Sequence, residues 1–209
     1  MNNFDRHSHW ENIYKTKQLD EVGWYQPVPI TSLQFLTHFK IPVTAKIIDI
    51  GGGDSFFVDH LLDLGYQDIT VLDISETAIE RAKVRLGKDS KKVKWIIADA
   101  AHFKPSEKYD FWHDRAAFHF LTQDNEVESY IDMVQQSMNP DGILIIGTFS
   151  SDGPTKCSGI EIKQYSEASM VERLKNFFDK VECFTIDHKT PSGGLQNYLF
   201  CSFRKMSAV

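Results

Sequence analysis

Apolar and polar positions change rhythm repeatedly along this chain, and the changes predict its elements. KIIDI (46–50) is a short apolar run bounded by polar residues, the pattern of a buried strand. SFFVDHLLDLG (55–65) then places apolar residues at helical spacing and stops at a glycine. ITVLDI (69–74) predicts a second strand. SETAIERAKVRLG (75–87) predicts a helix with Ser75 as N-cap, Ala78, Ile79, Ala82 and Leu86 on one face, and Gly87 as its stop. VKWIIAD (93–99) predicts a third strand, Ala100 and Ala101 a short helix, and YDFWHD (109–114) a fourth strand. NEVESYIDMVQQSMNP (125–140) predicts a helix ended by Pro140, after which Asp141-Gly142 turns the chain into a fifth strand, ILIIGTFS. A helix over 166–178 precedes two apolar runs, KVECFTIDH and QNYLFCSFRK, which TPSGG joins as a hairpin.

Strands that alternate with helices imply a parallel sheet covered on both faces. The expected fold is an α/β, Rossmann-like, seven-stranded and mostly parallel sheet, closed by an antiparallel C-terminal hairpin strand. Residues 7–39 read as helical segments broken at Gly23, Pro27 and Pro29, outside that alternation. The expected organisation is one domain over 1–209, with an N-terminal helical lid over 1–40 and a core over 45–209.

Composition narrows the function. With 42% apolar and 25% charged residues in 209, the chain reads as a globular protein. A net charge of −6 argues against a nucleic-acid partner. The absence of a long apolar run or a leader-like start argues against a membrane partner and makes a cytoplasmic location the expectation. Cys157, Cys183 and Cys201 are widely spaced and odd in number, which predicts free thiols and no metal set.

The turn after the first strand carries the chemistry. Gly51, Gly52 and Gly53 permit a backbone that a ligand approaches closely. Phe56 stands where a dinucleotide fold needs a further glycine, and the acid beside the turn, Asp54, would repel a pyrophosphate. Asp73, 22 residues beyond Gly51 at the end of the second strand, is placed to accept hydrogen bonds from two ribose hydroxyls. A nucleoside without a diphosphate fits this set.

DIGGGDS, followed by VLDIS and IIADA, resembles the class I S-adenosylmethionine-dependent methyltransferases over nearly the whole chain. The resemblance implies S-adenosyl-L-methionine as cofactor. It implies that Asp49, Gly51, Gly52 and Gly53 meet its methionine end, that Asp73 binds ribose, that Ile74 packs on adenine, and that Asp99 and Ala100 meet the adenine edge. Trp10 and Tyr14 in the lid segment are expected to close the site, because aromatic faces attract a sulfonium.

The acceptor side is read from FWHDRAAFHFLT (111–122), which offers His113, Arg115 and His119 as candidate catalytic residues. It resembles segments of both thiopurine methyltransferase-like enzymes and seven-strand protein lysine methyltransferases. His188 and Gln196 at the hairpin, and Cys157 after the fifth strand, are further candidates for the acceptor pocket. No N-P-P-Y-type tetrad for planar amines is present. The leading expectation is in-line methyl transfer to a small thiol, related soft nucleophile or carboxylate. A protein lysine methyltransferase and a non-catalytic cofactor-binding module are the alternatives.

Overall fold

The computed structural model describes residues 4–207. Its main sheet has seven strands: β1 (Lys46–Ile50), β2 (Asp68–Asp73), β3 (Val93–Ile97), β4 (Tyr109–Arg115), β5 (Met138–Phe149), β6 (Phe178–Lys189) and β7 (Leu195–Lys205). They lie in the order β3-β2-β1-β4-β5-β7-β6. Pairings from β3 through to β5 are parallel, and β7 runs antiparallel to both its neighbours. The strand order reverses between β1 and β4, so a crevice opens there at the carboxyl edge.

Among the described residues, six α-helices accompany the sheet: α1 (Arg6–Thr16), α2 (Ile30–His38), α3 (Phe57–Asp63), α4 (Glu76–Leu86), α5 (Asp124–Ser137) and α6 (Glu167–Leu174). Alternation within each strand divides the core between the two faces. Ile48, Ile50, Trp112, Leu144 and Ile146 pack with Val127, Tyr130 and Val134 of α5 and with Met170 and Leu174 of α6. Ile47, Ile69, Val71, Phe111 and Ile145 pack against Phe35 of α2, Phe57 and Leu61 of α3 and Ile79 of α4. Ser75 caps α4 by accepting from the Ala78 amide, and Gly87 ends that helix at φ +57°.

Four expectations need correction. The helix expected over 166–178 ends at Leu174, and after a turn over 175–177 Phe178 already opens β6. Ala100 and Ala101 form a turn, not a helix, because the Asp99 carboxylate and carbonyl take the Ala101 and His102 amides. The α5 helix ends at Ser137, before Pro140, and β5 begins at Met138 with a register shift against β4. There Asn139 donates to the Asp110 carboxylate, and Pro140 enters an irregular strand start that needs no amide from it. Cys183 and Cys201 are not free thiols: they are cross-strand partners in the β6–β7 hairpin and form a disulfide. Their spacing of 18 residues reveals this pairing only once the hairpin register is known.

Candidate functional site

A cleft runs along the carboxyl edge of the sheet, beneath α1. Its lining passes from Asp99 and Ala100 after β3, through Asp73 and Ile74 after β2, to Gly51 after β1 and Arg115, Ala116 and Ala117 after β4. Three strand spacings separate its two ends, roughly 14 Å at ~4.8 Å per strand. Arg6, Trp10, Tyr14 and Trp24 line it from the N-terminal segment, and Phe120, Leu121 and Cys157 complete its wall. A second, smaller cavity shares Gly51, Tyr14, Trp24 and Arg115 with it and continues over Asp49, Gly52, Asp54, Ser32 and His113.

The glycine turn is shaped by what surrounds it. Gly51 and Gly53 adopt φ of +64° and +45°. A Cβ on Gly53 would lie 2.8 Å from both Asp73 Oδ2 and the Tyr14 hydroxyl, and one on Gly51 would lie 2.8 Å from Ala117 Cβ. Asp73 Oδ1 accepts from the Ser75 amide, leaving Oδ2 on the turn side without a hydrogen bond from the described residues. Burial pushes the Asp73 carboxyl up to about 7, with Asp54 and Asp49 adding to the rise and the Ser75 amide opposing it. A buried acid with a spare oxygen beside a glycine cradle suits a ligand that brings hydroxyl donors. The site residues therefore fit an adenosyl ligand without a diphosphate.

Asp49 and His113 meet under the turn. Asp49 Oδ1 is 2.7 Å from His113 Nδ1, and His113 Nε2 is 2.8 Å from the Ser32 hydroxyl on α2. Asp49 is an acceptor, so Nδ1 carries a proton. Asp114 is committed elsewhere: it accepts from the Ala117 and Phe118 amides and from the Tyr130 hydroxyl, which fixes the turn after β4. Burial raises its carboxyl to about 6 against these hydrogen bonds.

Arg115 forms no ion pair with Asp114 among the described contacts. Its guanidinium donates to Gln26 Oε1 at 2.7 Å and to the Trp24 carbonyl. His119 lies behind the cleft and is absent from its lining. Its Nδ1 accepts from the Phe149 amide, and burial alone lowers its pKa to about 3, so the ring is neutral. Cys157 lines the cleft as a buried thiol whose pKa burial raises to about 11. His188 is buried under the lid segment, and Gln196 sits below Gly23.

The lid is fastened at points that the element pattern does not single out. Arg6 donates to both Asp99 oxygens at 3.1 Å and to Glu126 at 2.7 Å. Glu11 accepts from the Ser75 and Thr77 hydroxyls and from the Thr77 amide, at the amino end of α4. Arg81 of α4 donates to the Tyr14 and Lys17 carbonyls, which closes the far end of α1. One signal was available in the sequence. Arg6, Trp10 and Tyr14 recur every four residues, so all three lie on one helix face.

The comparisons agree with this geometry. Residues 47–142 match a family model described as a methyltransferase domain. The chain is 27% identical over 124 residues to the eEF1A lysine and N-terminal methyltransferase of Mus musculus, a match spanning 59% of this chain and 18% of that protein. It covers less than two thirds of the length of the curated relatives it first matches. The N-methyltransferase NodS from Bradyrhizobium japonicum WM9, in complex with S-adenosyl-L-homocysteine, superposes with TM-score 0.72 at 17% identity, over 97% of this chain and 100% of that one. A structure described by the conversion of a disulfide bond into a thioacetal group during echinomycin biosynthesis superposes with TM-score 0.78 at 17% identity, over 97% and 92% of the two chains. At these identities the superpositions establish the fold.

Proposed function

The chain carries a methyltransferase domain within the class I methyltransferase fold, and from that premise we infer that it transfers a methyl group from S-adenosylmethionine to a small thiol, related soft nucleophile or carboxylate. When bound, that cofactor supplies an electrophilic methyl carbon on a sulfonium. The residues along the cleft divide the remaining work. Asp73 Oδ2 would accept from the ribose hydroxyls, Ile74 and Ala100 would pack on the adenine, and Asp99 would meet the adenine edge. The Gly51–Gly53 turn, with Asp49 held beneath it by His113, would receive the methionine end. Trp10, Tyr14 and Trp24 form a connected aromatic cluster over the cleft, with ring centroids 5.7–6.2 Å apart. That cluster excludes water and presents ring faces to a cation.

One observation carries the acceptor class. At the β4 end the cleft is walled by Trp24, Ala116, Ala117, Phe120 and Cys157, and its one charged lining side chain there is Arg115. The two lining carboxylates, Asp73 and Asp99, follow β2 and β3 at the other end. An ammonium acceptor would enter past a cation and meet no carboxylate in the cleft lining at this end; Asp49 and Asp54 lie in the adjoining cavity, the first held by His113 and the second paired with Arg81. A thiol, a thiolate or a carboxylate faces neither cost, since it reaches its reactive form near neutral pH without a dedicated base. His113 is spent on Asp49 and Ser32, and His119 lies outside the lining, so neither supplies a base at this end.

Purified protein incubated with methyl-labelled S-adenosylmethionine and separate panels of small thiols, small carboxylic acids, small amines and lysine-bearing proteins tests the reading. Label is expected in thiols or acids. Label confined to protein lysines would replace it with the activity for which the eEF1A relatives are named. Label in none, with S-adenosylhomocysteine still bound, would leave a non-catalytic cofactor-binding module.

A further inference from the structure

The segment that carries Trp24 over the cleft is held by a chain of hydrogen bonds whose polarity is fixed at one end. Arg115 only donates, so the amide of Gln26 must turn Oε1 toward it, at 2.7 Å. Gln26 Nε2 then faces His188 Nδ1 at 3.1 Å, which makes that ring nitrogen an acceptor without a proton. The remaining proton sits on His188 Nε2 and is donated to the Gly23 carbonyl at 2.7 Å. Arg115 also grips the Trp24 carbonyl, so both ends of the chain fasten the same four-residue stretch. Gln26 cannot flip to relieve a change at His188, because its nitrogen would then face the guanidinium.

We propose that Gln26 and His188 are positioning residues that latch the Trp24 wall of the acceptor end, and that the latch holds only while His188 is neutral. A second proton on the imidazole would occupy Nδ1 and oppose the Gln26 amide nitrogen. The groups around the ring agree with this direction. Arg115 of β4 faces it from the sheet, Tyr198 of β7 stands edge-on at 6.1 Å, and the adjoining surface cavity adds Thr31 of α2 together with Asp187 and Lys189 from β6 itself. Asp187 keeps its charge and accepts from Asn197 across the hairpin, and it makes no hydrogen bond or ion pair with the His188 ring among the described contacts. Burial lowers the His188 pKa first, and the charge of Arg115 lowers it further, against the pull of the Gly23 carbonyl. The latch is therefore intact above the ordinary histidine value of 6.5 and is lost as pH falls through the lowered folded value.

The proposal rests on the methyltransferase reading only in calling this wall the acceptor end. Its test does not need turnover. Amide hydrogen exchange of residues 22–26 would be followed against pH in the protein without ligand, corrected for intrinsic rates, alongside an NMR titration of the His188 ring. Between the ordinary histidine value of 6.5 and the lowered value of the closed state, opening is expected to increase as pH falls, by about tenfold per pH unit at most, the slope of one linked proton, and to level off below it. The Gln26→Glu variant should reverse the direction. Its carboxylate accepts from both Arg115 and His188, so only the doubly protonated ring satisfies Glu and the Gly23 carbonyl together, and opening should increase as pH rises. In His188→Gln, the pH dependence should vanish. Exchange that is flat with pH in the parent protein, or unchanged in direction in Gln26→Glu, would overturn the latch. Should Gln26→Glu not fold, a parent His188 whose titration leaves the Trp24 and Gly23 amides unmoved would overturn it equally. The expected exchange profile together with no methyl transfer would support the latch and remove the functional reading alone.

Discussion

The carboxylate of Asp49 and the imidazole of His113 meet at 2.7 Å directly beneath the glycine turn, and the two residues are only 3% and 2% exposed. Each sits at the same level of adjacent parallel strands, Asp49 of β1 beside His113 of β4. Replacing His113 with Phe keeps the ring volume but leaves a buried carboxylate without its donor. Breaking a buried pair from one side costs about 3–5 kcal/mol. His113→Phe should lower the urea midpoint accordingly, whereas Ser32→Ala, which removes one hydroxyl from the far ring nitrogen, should cost about 1 kcal/mol. The Asp49→Leu/His113→Phe pair should recover part of the loss, since neither polar group is then stranded. Equal midpoints for parent and His113→Phe would show that the pair contributes no stability.

Asp73 makes a prediction about pH. Its folded pKa of about 7 lies above the ordinary 3.8, so the folded state holds a proton that the unfolded state has released. The stability this supplies is complete below 3.8 and is lost as pH rises through about 7. Asp73→Asn removes the titration and keeps the shape. In the absence of ligand the variant should gain melting temperature over the parent at about pH 8, less at about pH 5, where part of the parent's contribution is already lost, and little at about pH 3.5. In the same protein S-adenosylhomocysteine should bind more weakly, by roughly 1–3 kcal/mol if Asn leaves a ribose hydroxyl unmatched. Calorimetric affinity equal to the parent's would remove Asp73 from the ribose site.

Two glycines at positive φ separate strain from ligand contact. Gly65 has φ +86° and nothing within 4 Å of an added Cβ, while Gly53 has φ +45° with Asp73 and Tyr14 at 2.8 Å. Each alanine substitution carries left-handed backbone strain of about 1–2 kcal/mol. Only Gly53→Ala should also lose S-adenosylhomocysteine affinity, because the methyl intrudes between the acid and the lid tyrosine. Matching losses of affinity in both variants would trace the effect to general destabilisation.

How much of this was legible in advance differs between the sheet and its cover. The strands and α4 follow from local alternation, Ser75 and Gly87, because backbone pattern and caps are local matters. The glycine turn, Asp73, Asp99 and their order along one edge were equally legible, since parallel α/β topology brings every strand's carboxyl end to the same side. Contacts between distant segments were not. Nothing local to Arg6 announces Asp99, 93 residues away, and nothing in Cys183 announces its register with Cys201. His113 and Arg115 were visible as polar residues at a strand end. Their commitment to Asp49 and to Gln26 depends on where α2 and the lid pack. Ser32 and Gln26 carried no motif at all.

Glu11 supplies the last prediction, because its position gives the lid a measurable anchor. Burial would raise its pKa, yet hydrogen bonds from the Thr77 hydroxyl and amide and the Ser75 hydroxyl outweigh that and hold it at about 2. Its charge also faces the amino end of α4, where the helix dipole favours an anion. The folded value lies below the ordinary 4.5, so this contribution is present above 4.5 and is lost as pH falls through about 2. Glu11→Gln keeps a similar shape but gives up the charge, and with hydrogen bonds to charged groups worth about 1.5–3 kcal/mol, α1 should detach more often. Limited proteolysis within residues 6–17 should therefore run faster in Glu11→Gln than in the parent at neutral pH. Cleavage in the core should change far less, since α1 packs on the edge of the sheet and contributes little to either core face. Equal cleavage of the two proteins at α1 would mean that Arg6 and Arg81 hold the lid without Glu11, and the Arg6→Gln variant would then be the one to release it.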